Sequence, residues 1–132
     1  MCRIDGAEGW KVWRCEKPVA KREHRCDECR RAIQPGESYL REGGLSYDGG
    51  GWETYKTCRH CDAARRWLVI VCGGAIFSEV LEELREHWQE SDTYRSLWLN
   101  AAMAGIRRQW KRRDGSLLPV LPEPRFAEGL AA

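Results

Sequence analysis

The chain has 132 residues and a mass of 15.3 kDa, enough for one domain or for a small module with a helical extension. Its 42% hydrophobic content and seven tryptophans exclude a disordered composition, and its net charge of +2 is too small to indicate strong non-specific binding to nucleic acid. The longest apolar run, residues 67–72, is far shorter than the roughly 18 residues of a membrane helix, and residues 1–6 lack a signal-peptide core. We therefore expect a folded, cytoplasmic protein that does not enter a membrane.

Residues 1–21 are predicted to form an irregular N-terminal lead-in that contains one short strand. Around Trp10 and Val12, apolar and charged residues alternate, which is typical of a strand, and the strand is expected to end before Pro18. The charged residues that follow lead directly into the first cysteine pair.

Four of the seven cysteines form two C-x2-C pairs with 28 residues between them: Cys26 and Cys29, then Cys58 and Cys61. Such a turn brings two sulfurs within reach of one ion, and two turns complete the tetrahedron of a structural zinc site. We therefore predict one structural Zn²⁺ on these four residues. The odd cysteine count and the missing signal peptide argue against a disulfide framework. Four reduced core thiols are the alternative, but that interpretation leaves their equal pairing unexplained.

Two histidines lie close to the predicted ligands. His24 precedes the first pair and His60 lies inside the second, so each offers an alternative ligand. We prefer the four cysteines, because a histidine in the turn between two ligands competes with their geometry. A third histidine, His87, falls on a predicted helix and is expected to be partly buried there.

Residues 30–57, between the pairs, are predicted to form an antiparallel hairpin. A Pro-Gly turn precedes a strand at 38–41, and a glycine-rich segment leads to a second strand at 52–55. From Cys58, apolar residues recur at helical spacing until Gly73, so the second cysteine pair is expected to open a helix. A hairpin this small is marginally stable alone, and a metal ion at its base would stabilise it.

Residues 74–113 are predicted to form a helical extension of two amphipathic helices. Their apolar stripes run over 76–88 and 94–106, and residues 91–93 offer N-caps for the second of these helices. The tail at 114–132 contains three prolines and is expected to be extended or mobile.

The last predicted helix ends in a basic run: Arg107, Arg108, Lys111, Arg112 and Arg113. Antiparallel packing would place this run beside acidic residues of the preceding helix, Glu79, Glu82 and Glu83, and the cations also suit the helix dipole. We prefer this charge balance within the chain. The alternative is contact with nucleic acid or an acidic partner, to which Arg65 and Arg66 would contribute.

Three segments resemble small, mostly uncharacterised bacteriophage and prophage zinc proteins: His24-Arg-Cys26-Asp-Glu-Cys29, Ile33-Gln-Pro-Gly36-Glu37-Ser-Tyr39 and Trp52-Glu-Thr-Tyr55-Lys-Thr57-Cys58-Arg-His-Cys61. The order of knuckle, hairpin and helix over residues 22–73 resembles a treble-clef zinc finger. This likeness implies an α+β module, to which the apolar spacing of residues 74–113 adds two helices. The resemblance to bacteriophage and prophage zinc proteins implies a phage accessory protein that acts on a host or phage macromolecule in the bacterial cytoplasm.

We therefore expect a non-enzymatic, zinc-stabilised interaction protein that binds a host or phage protein, without catalytic residues or a small-molecule substrate. Seven tryptophans are more than a small core readily hides, so an exposed aromatic patch from Trp10, Trp13 or Trp110 is a candidate for the protein contact surface. One alternative is a DNA- or RNA-binding regulator that uses the basic residues. Another is a metal-dependent nuclease, although an HNH-type nuclease needs a histidine base and ligands for a second metal.

Overall fold

The computed structural model describes residues 10–47 and 50–125, with Trp10 described by its backbone alone. The start of the predicted lead-in, Cys2 and the end of the predicted tail lie outside the described residues. The elements are, in chain order, β1 Trp10–Glu16, β2 His24–Arg25, β3 Ala32–Ile33, β4 Tyr39–Ser46, β5 Trp52–Cys58, α1 Arg59–Cys72, α2 Val80–Glu90 and α3 Leu97–Arg107. This mixture of antiparallel strands and helices confirms the α+β prediction. Among the described helices, none has both the length and the apolar character needed to cross a membrane.

The main sheet has three antiparallel strands in the order β1-β4-β5. The predicted hairpin is present as β4 and β5, with Tyr39 opposite Cys58 at its base. β1 adds a third strand by pairing with β4, which places Trp13 opposite Gly44. A separate ribbon of β2 and β3 pairs His24 with Ile33 and surrounds the first cysteine pair.

The two faces of the main sheet differ, because side chains alternate along each strand. One face is covered: the ring of Phe77 stacks on Tyr55 with centroids 4.0 Å apart and lies 5.7 Å from Trp13. On the same face, Arg65 of α1 contacts Glu42 of β4. The other face carries Arg14, Glu16, Arg41, Gly43, Trp52, Thr54 and Lys56, and we call it the open sheet face.

α1 begins and ends as predicted. The Sγ of Cys58 accepts the backbone N–H of Cys61 and caps the N-terminus of the helix, while Gly73, with φ of 82°, ends it. The apolar stripe of α1 supplies Trp67 and Leu68 to the core, where both are buried. The change from strand to helix therefore takes place at the second cysteine pair.

α3 begins later than the sequence indicated. Ser91 accepts the N–H of Thr93 and starts a short 3-10 turn, whereas Ser96 accepts the N–H of Leu99 and caps α3. Leu97 belongs to the predicted apolar stripe but is 90% exposed. Several serine and threonine residues here offer similar caps, and packing of the helix on the core decides among them.

A long-range contact holds the start of α2. Glu28, inside the first cysteine pair, accepts the N–H groups of Ser78 at 2.7 Å and Val80 at 3.2 Å. The N-cap residue of α2, Glu79, makes no side-chain cap of its own. Glu28 therefore caps a helix from 50 residues away in sequence. Burial raises the pKa of Glu28 to about 7.

The basic run does not continue α3. The helix ends at Arg107, and the next residues turn the chain because Gln109 and Trp110 have φ of 56° and 60°, in the left-handed region. This turn brings the Trp110 N–H to the carbonyl of Gly105, 2.7 Å away, and returns the indole ring to the core.

The described part of the tail, residues 114–125, makes hydrogen bonds to the helical part of the chain. The Leu118 N–H donates to the carbonyl of Trp110 at 2.7 Å, and the Trp98 indole N–H donates to the carbonyl of Pro122 at 2.8 Å. The prolines keep this segment extended while it makes these contacts.

We predict that Gly105→Ala destabilises the protein. Glycine to alanine inside a helix is usually stabilising by about 1 kcal/mol, but a Cβ at Gly105 would overlap the Trp110 ring. The ring or the helix must move, at a cost of about 1–3 kcal/mol in the free energy of unfolding. Urea denaturation with zinc present measures this change. Asn100→Ala, at an exposed position of α3, is the control and should be neutral or slightly stabilising; a Gly105→Ala variant as stable as this control would contradict the packing.

Candidate metal centre

Four buried cysteine sulfurs converge where the ribbon, the base of the hairpin and α1 meet. The sulfurs of Cys26, Cys29, Cys58 and Cys61 all lie within 4.8 Å of one another. The Cys29 and Cys58 sulfurs are 3.9 Å apart, and the edge of a zinc–sulfur tetrahedron with bonds of about 2.3 Å is about 3.8 Å. The geometry fits one structural Zn²⁺ with four thiolate ligands, as the sequence predicted.

The first pair is positioned by the tight turn that joins β2 to β3. The Cys26 N–H donates to the carbonyl of Arg31 at 2.9 Å, and the Arg30 N–H donates back to the carbonyl of Cys26 at 3.0 Å. Arg30 adopts φ of 69°, which closes the turn and directs Cys29 toward Cys26. The turn thus presents two sulfurs on the same side of the ribbon.

The second pair is positioned by the junction of β5 and α1. Cys58 is the last residue of the strand and Cys61 lies in the first turn of the helix. Backbone N–H groups point at the sulfurs: those of Cys58 and Glu28 donate to the Cys26 sulfur at 3.3 and 3.4 Å. Together with the positive end of the helix dipole, these donors stabilise thiolates.

Four thiols this close cannot all ionise without a cation. Hydrogen bonds from Cys29 and the other two thiols lower the pKa of Cys26, whereas hydrogen bonds to Cys26 and Cys29 raise the pKa of Cys58. Burial raises the pKa of Cys61. A divalent ion supplies the positive charge that lets all four exist as thiolates, which leaves a net charge of about −2 on the centre.

Arg31 provides a buried positive charge beside this centre. Its guanidinium donates to both carboxylate oxygens of Glu37, at 3.0 and 3.1 Å. Burial opposes ionisation, but Glu37 and the nearby Cys58 thiol raise the pKa of Arg31. Arg31 is not a ligand, but its positive charge next to the ligands offsets part of the negative charge of a zinc–thiolate centre.

His60 supports the centre and is not a ligand. Its Nε2 lies 2.6 Å from the carbonyl of Leu118, and its Nδ1 lies 3.1 Å from a nitrogen of Arg31. A carbonyl only accepts and a guanidinium only donates, so Nε2 carries the proton and Nδ1 accepts. His24 is also engaged elsewhere: its Nδ1 lies 3.1 Å from the Lys56 ammonium, and desolvation and this cation lower the pKa of His24. Both contacts agree with the preference for four cysteines.

Trp110 belongs to the metal centre, which corrects its prediction as a surface aromatic. Its side chain is 1% exposed, and its indole N–H donates to the Cys61 sulfur at 3.2 Å. The turn after α3 directs the ring inward. Of the other predicted contact aromatics, Trp13 is half-buried against Phe77, and the Trp10 side chain lies outside the described residues.

Arg65 is buried, which corrects its prediction as a nucleic-acid contact. Its guanidinium lies 2.8 Å from the Glu42 carboxylate, and the two side chains are 2% and 1% exposed. Burial raises the pKa of Glu42, although Arg65 opposes this rise. The ion pair joins α1 to β4. Arg66 remains exposed, and its guanidinium lies 3.7 Å from the carboxylate of Glu123.

The five cations of the basic run are all exposed and lie around the turn after α3: Arg107, Arg108, Lys111, Arg112 and Arg113. Arg112 donates to the carbonyl of Leu117 at 2.7 Å, which steadies the start of the tail. Glu82, one of the predicted acidic neighbours, lies 3.4 Å from Arg85 of its own helix. The charge-balance and partner-contact interpretations of the run both stay predictions.

Among the described residues, two further cysteines lie outside the four-sulfur cluster. Cys15 on β1 is disulfide-bonded, although the odd cysteine count argued against a disulfide framework. Cys72 ends α1, is exposed, and its sulfur lies 2.8 Å from Nε2 of His87.

The support around the metal was not predicted from the sequence. Arg31 and Glu37 lie near the first pair in sequence, and the Pro-Gly turn before Glu37 is a recognisable signal. The carboxylate of Glu37 also accepts the N–H of Gln34 at 2.7 Å, as turn residues often do. No local pattern marks an arginine that becomes buried beside thiolates.

No protein-family model matches the chain, and no curated protein or solved structure is significantly similar to it. The resemblance to bacteriophage zinc proteins therefore stays a prediction.

We predict that Cys26→Ser and Cys61→Ser each abolish zinc binding and the cooperative unfolding of residues 22–72, because folding and metal binding are coupled. Elemental analysis and thermal melting test this. Cys72→Ser removes an exposed thiol outside the cluster and should keep one zinc per chain. Full metal content and a cooperative transition in either ligand variant would contradict the ligand set.

We predict that Trp110→Phe weakens zinc binding by about 10-fold, since the ring is kept but the N–H donor to the Cys61 sulfur is lost. Competition with a chromogenic chelator measures the affinity. Trp98→Phe is the matched control because it removes an indole N–H bond to the Pro122 carbonyl. Equal weakening in both variants would show that the indole–sulfur bond has no specific effect.

Proposed function

We propose that the protein is a non-enzymatic interaction module, stabilised by one structural zinc, that presents a binding surface to a macromolecular partner. One observation carries this proposal: four buried cysteines supply all four ligands of the metal. A zinc ion with four thiolates has no open position for water or a substrate, whereas catalytic zinc sites keep one.

The arrangement around the metal supports a treble-clef assignment for residues 22–72. The first pair lies in the turn of the β2–β3 ribbon, β4 and β5 form the hairpin, and the second pair opens α1. In such a module the metal joins elements that are each too small to fold alone, and its role is structural.

A nuclease is less well supported than a binding module. It would need a histidine base near a second metal, but His60 has both ring nitrogens engaged, with Arg31 and with the carbonyl of Leu118. We therefore propose no reaction for this centre.

The structure favours a different partner surface from the tryptophan surface predicted from the sequence. The sequence favoured a protein contact through tryptophans, but Trp110 is buried and Trp13 packs against Phe77. The open sheet face is the better supported surface, because helix α1 and Phe77 lie on the opposite side of the sheet. In a phage or prophage setting, the partner would belong to the host or to the phage.

The proposal is tested by metal removal together with an activity assay. The purified protein should contain one zinc per chain, lose its near-ultraviolet tryptophan signal with a strong chelator, and recover it when zinc is added. The Co²⁺-substituted protein should show the visible spectrum of a tetrahedral four-thiolate site. Plasmid DNA should not be nicked with added Mg²⁺ or Mn²⁺. Nicking by the wild type that disappears in Cys26→Ser, or a Co²⁺ spectrum with bound water, would overturn a non-enzymatic role.

A further inference from the structure

We propose that the open sheet face binds single-stranded nucleic acid, with an unpaired base stacked on Trp52 and phosphates held by the surrounding cations. This inference rests on the proposed function, because it names the partner of the same module. It uses a different surface from the basic run after α3.

Two adjoining grooves form the proposed surface. The first, of about 530 Å³, is lined by residues of β1, β4 and β5, among them Arg14, Trp52 and Lys56. The second, of about 510 Å³, is lined by Lys21, Arg22 and others of the segment before the first cysteine pair. Arg41 lines both grooves, so they adjoin at its side chain, and we call the two together the path.

The charge of this path is strongly positive for a chain with a net charge of only +2. Five of its lining residues are arginine or lysine: Arg14, Lys21, Arg22, Arg41 and Lys56. One acidic residue lies among them, Glu16, whose carboxylate is 2.9 Å from Arg41. Cations along a groove match the repeating phosphates of a nucleic-acid backbone.

Trp52 supplies an aromatic platform in the middle of these cations. Its side chain is 52% exposed, although a tryptophan usually buries most of its area. A Cβ at Gly43 would lie 3.1 Å from the Trp52 Nε1, so the absent side chain at Gly43 lets the indole approach the neighbouring strand. The Arg14 guanidinium lies 5.7 Å from the ring. An exposed indole beside an arginine provides base stacking and cation–π contacts.

A single strand fits this surface better than a duplex or an acidic protein. Bases in a duplex are stacked on one another, so they cannot stack on Trp52 without unpairing. The carboxylates of an acidic peptide would pair with the cations, but they do not bring a flat ring to the indole as every nucleotide does. The combination of a cationic path and one exposed indole is the arrangement by which sheet surfaces hold unpaired bases.

The test uses the full-length, zinc-loaded protein and fluorescently labelled 20-nucleotide DNA and RNA of mixed sequence, single-stranded and duplex. Fluorescence anisotropy across a salt series should show tighter binding of the single strands. The logarithm of affinity should fall with the logarithm of salt concentration with a slope of about −2 to −3.5, since three to five phosphates are neutralised at about 0.7 per contact. Binding should also quench tryptophan fluorescence.

Variants then locate the site. Trp52→Ala should weaken binding by about 10- to 100-fold through loss of stacking, while Trp52→Phe retains part of it. Arg14→Gln should weaken binding and make the salt slope shallower by about 0.7. Arg108→Gln is the matched control, because it removes one exposed cation from the basic run and should leave binding unchanged. Each variant should contain one zinc and melt like the wild type.

Three outcomes would overturn the inference. In the first, the folded, zinc-loaded wild type binds no oligonucleotide at low salt. In the second, binding is lost with Arg108→Gln but kept with Trp52→Ala. In the third, polyglutamate binds as tightly as the single strands, and Trp52→Ala leaves that binding intact. The last would indicate an acidic protein partner. A zinc-loaded, inactive protein that binds no oligonucleotide would contradict this inference alone, whereas absence of zinc or metal-dependent cleavage would contradict the proposed function.

Discussion

The convergence of four sulfurs on one point is the constraint on which the rest of the structure depends. Two of them come from a tight turn in a two-stranded ribbon, and the other two come from the place where a strand becomes a helix. Each of these elements is too small to be stable by itself. A divalent ion that bonds all four sulfurs fixes the ribbon, the hairpin and α1 relative to one another, and it neutralises thiolates that could not otherwise be buried together.

The elements added to this module attach to the metal centre and not merely to one another. Trp110, beyond the end of α3, donates to a ligand sulfur, and His60 joins Arg31 to the carbonyl of Leu118 in the tail. Within the module, the buried ion pair of Arg65 and Glu42 holds α1 against the sheet. Because the Arg31–His60 and Arg65–Glu42 contacts are buried, loss of one partner leaves an uncompensated polar group, and the helices and the module are expected to be stable together.

The parts of the fold that local sequence determines were predictable. The cysteine spacing indicated the zinc ligands, and apolar periodicity with a glycine at the end gave α1 correctly. The parts that depend on distant contacts were not. Pairing of β1 with β4, the choice of Ser96 as a cap and the burial of Trp110 follow from tertiary packing. Arg65 shows the difficulty most plainly, because an arginine on an amphipathic helix is normally exposed, whereas here it is buried in an ion pair with Glu42.

The carboxylate of Glu28 connects the metal-binding turn to the helical extension. It sits inside the first ligand pair and holds the backbone that starts α2. Both ligand pairs precede α2 in the sequence, and the turn that holds the first pair also supplies the carboxylate that caps this helix. Because the ion fixes that turn, removal of the ion also removes the anchor for the first residues of α2.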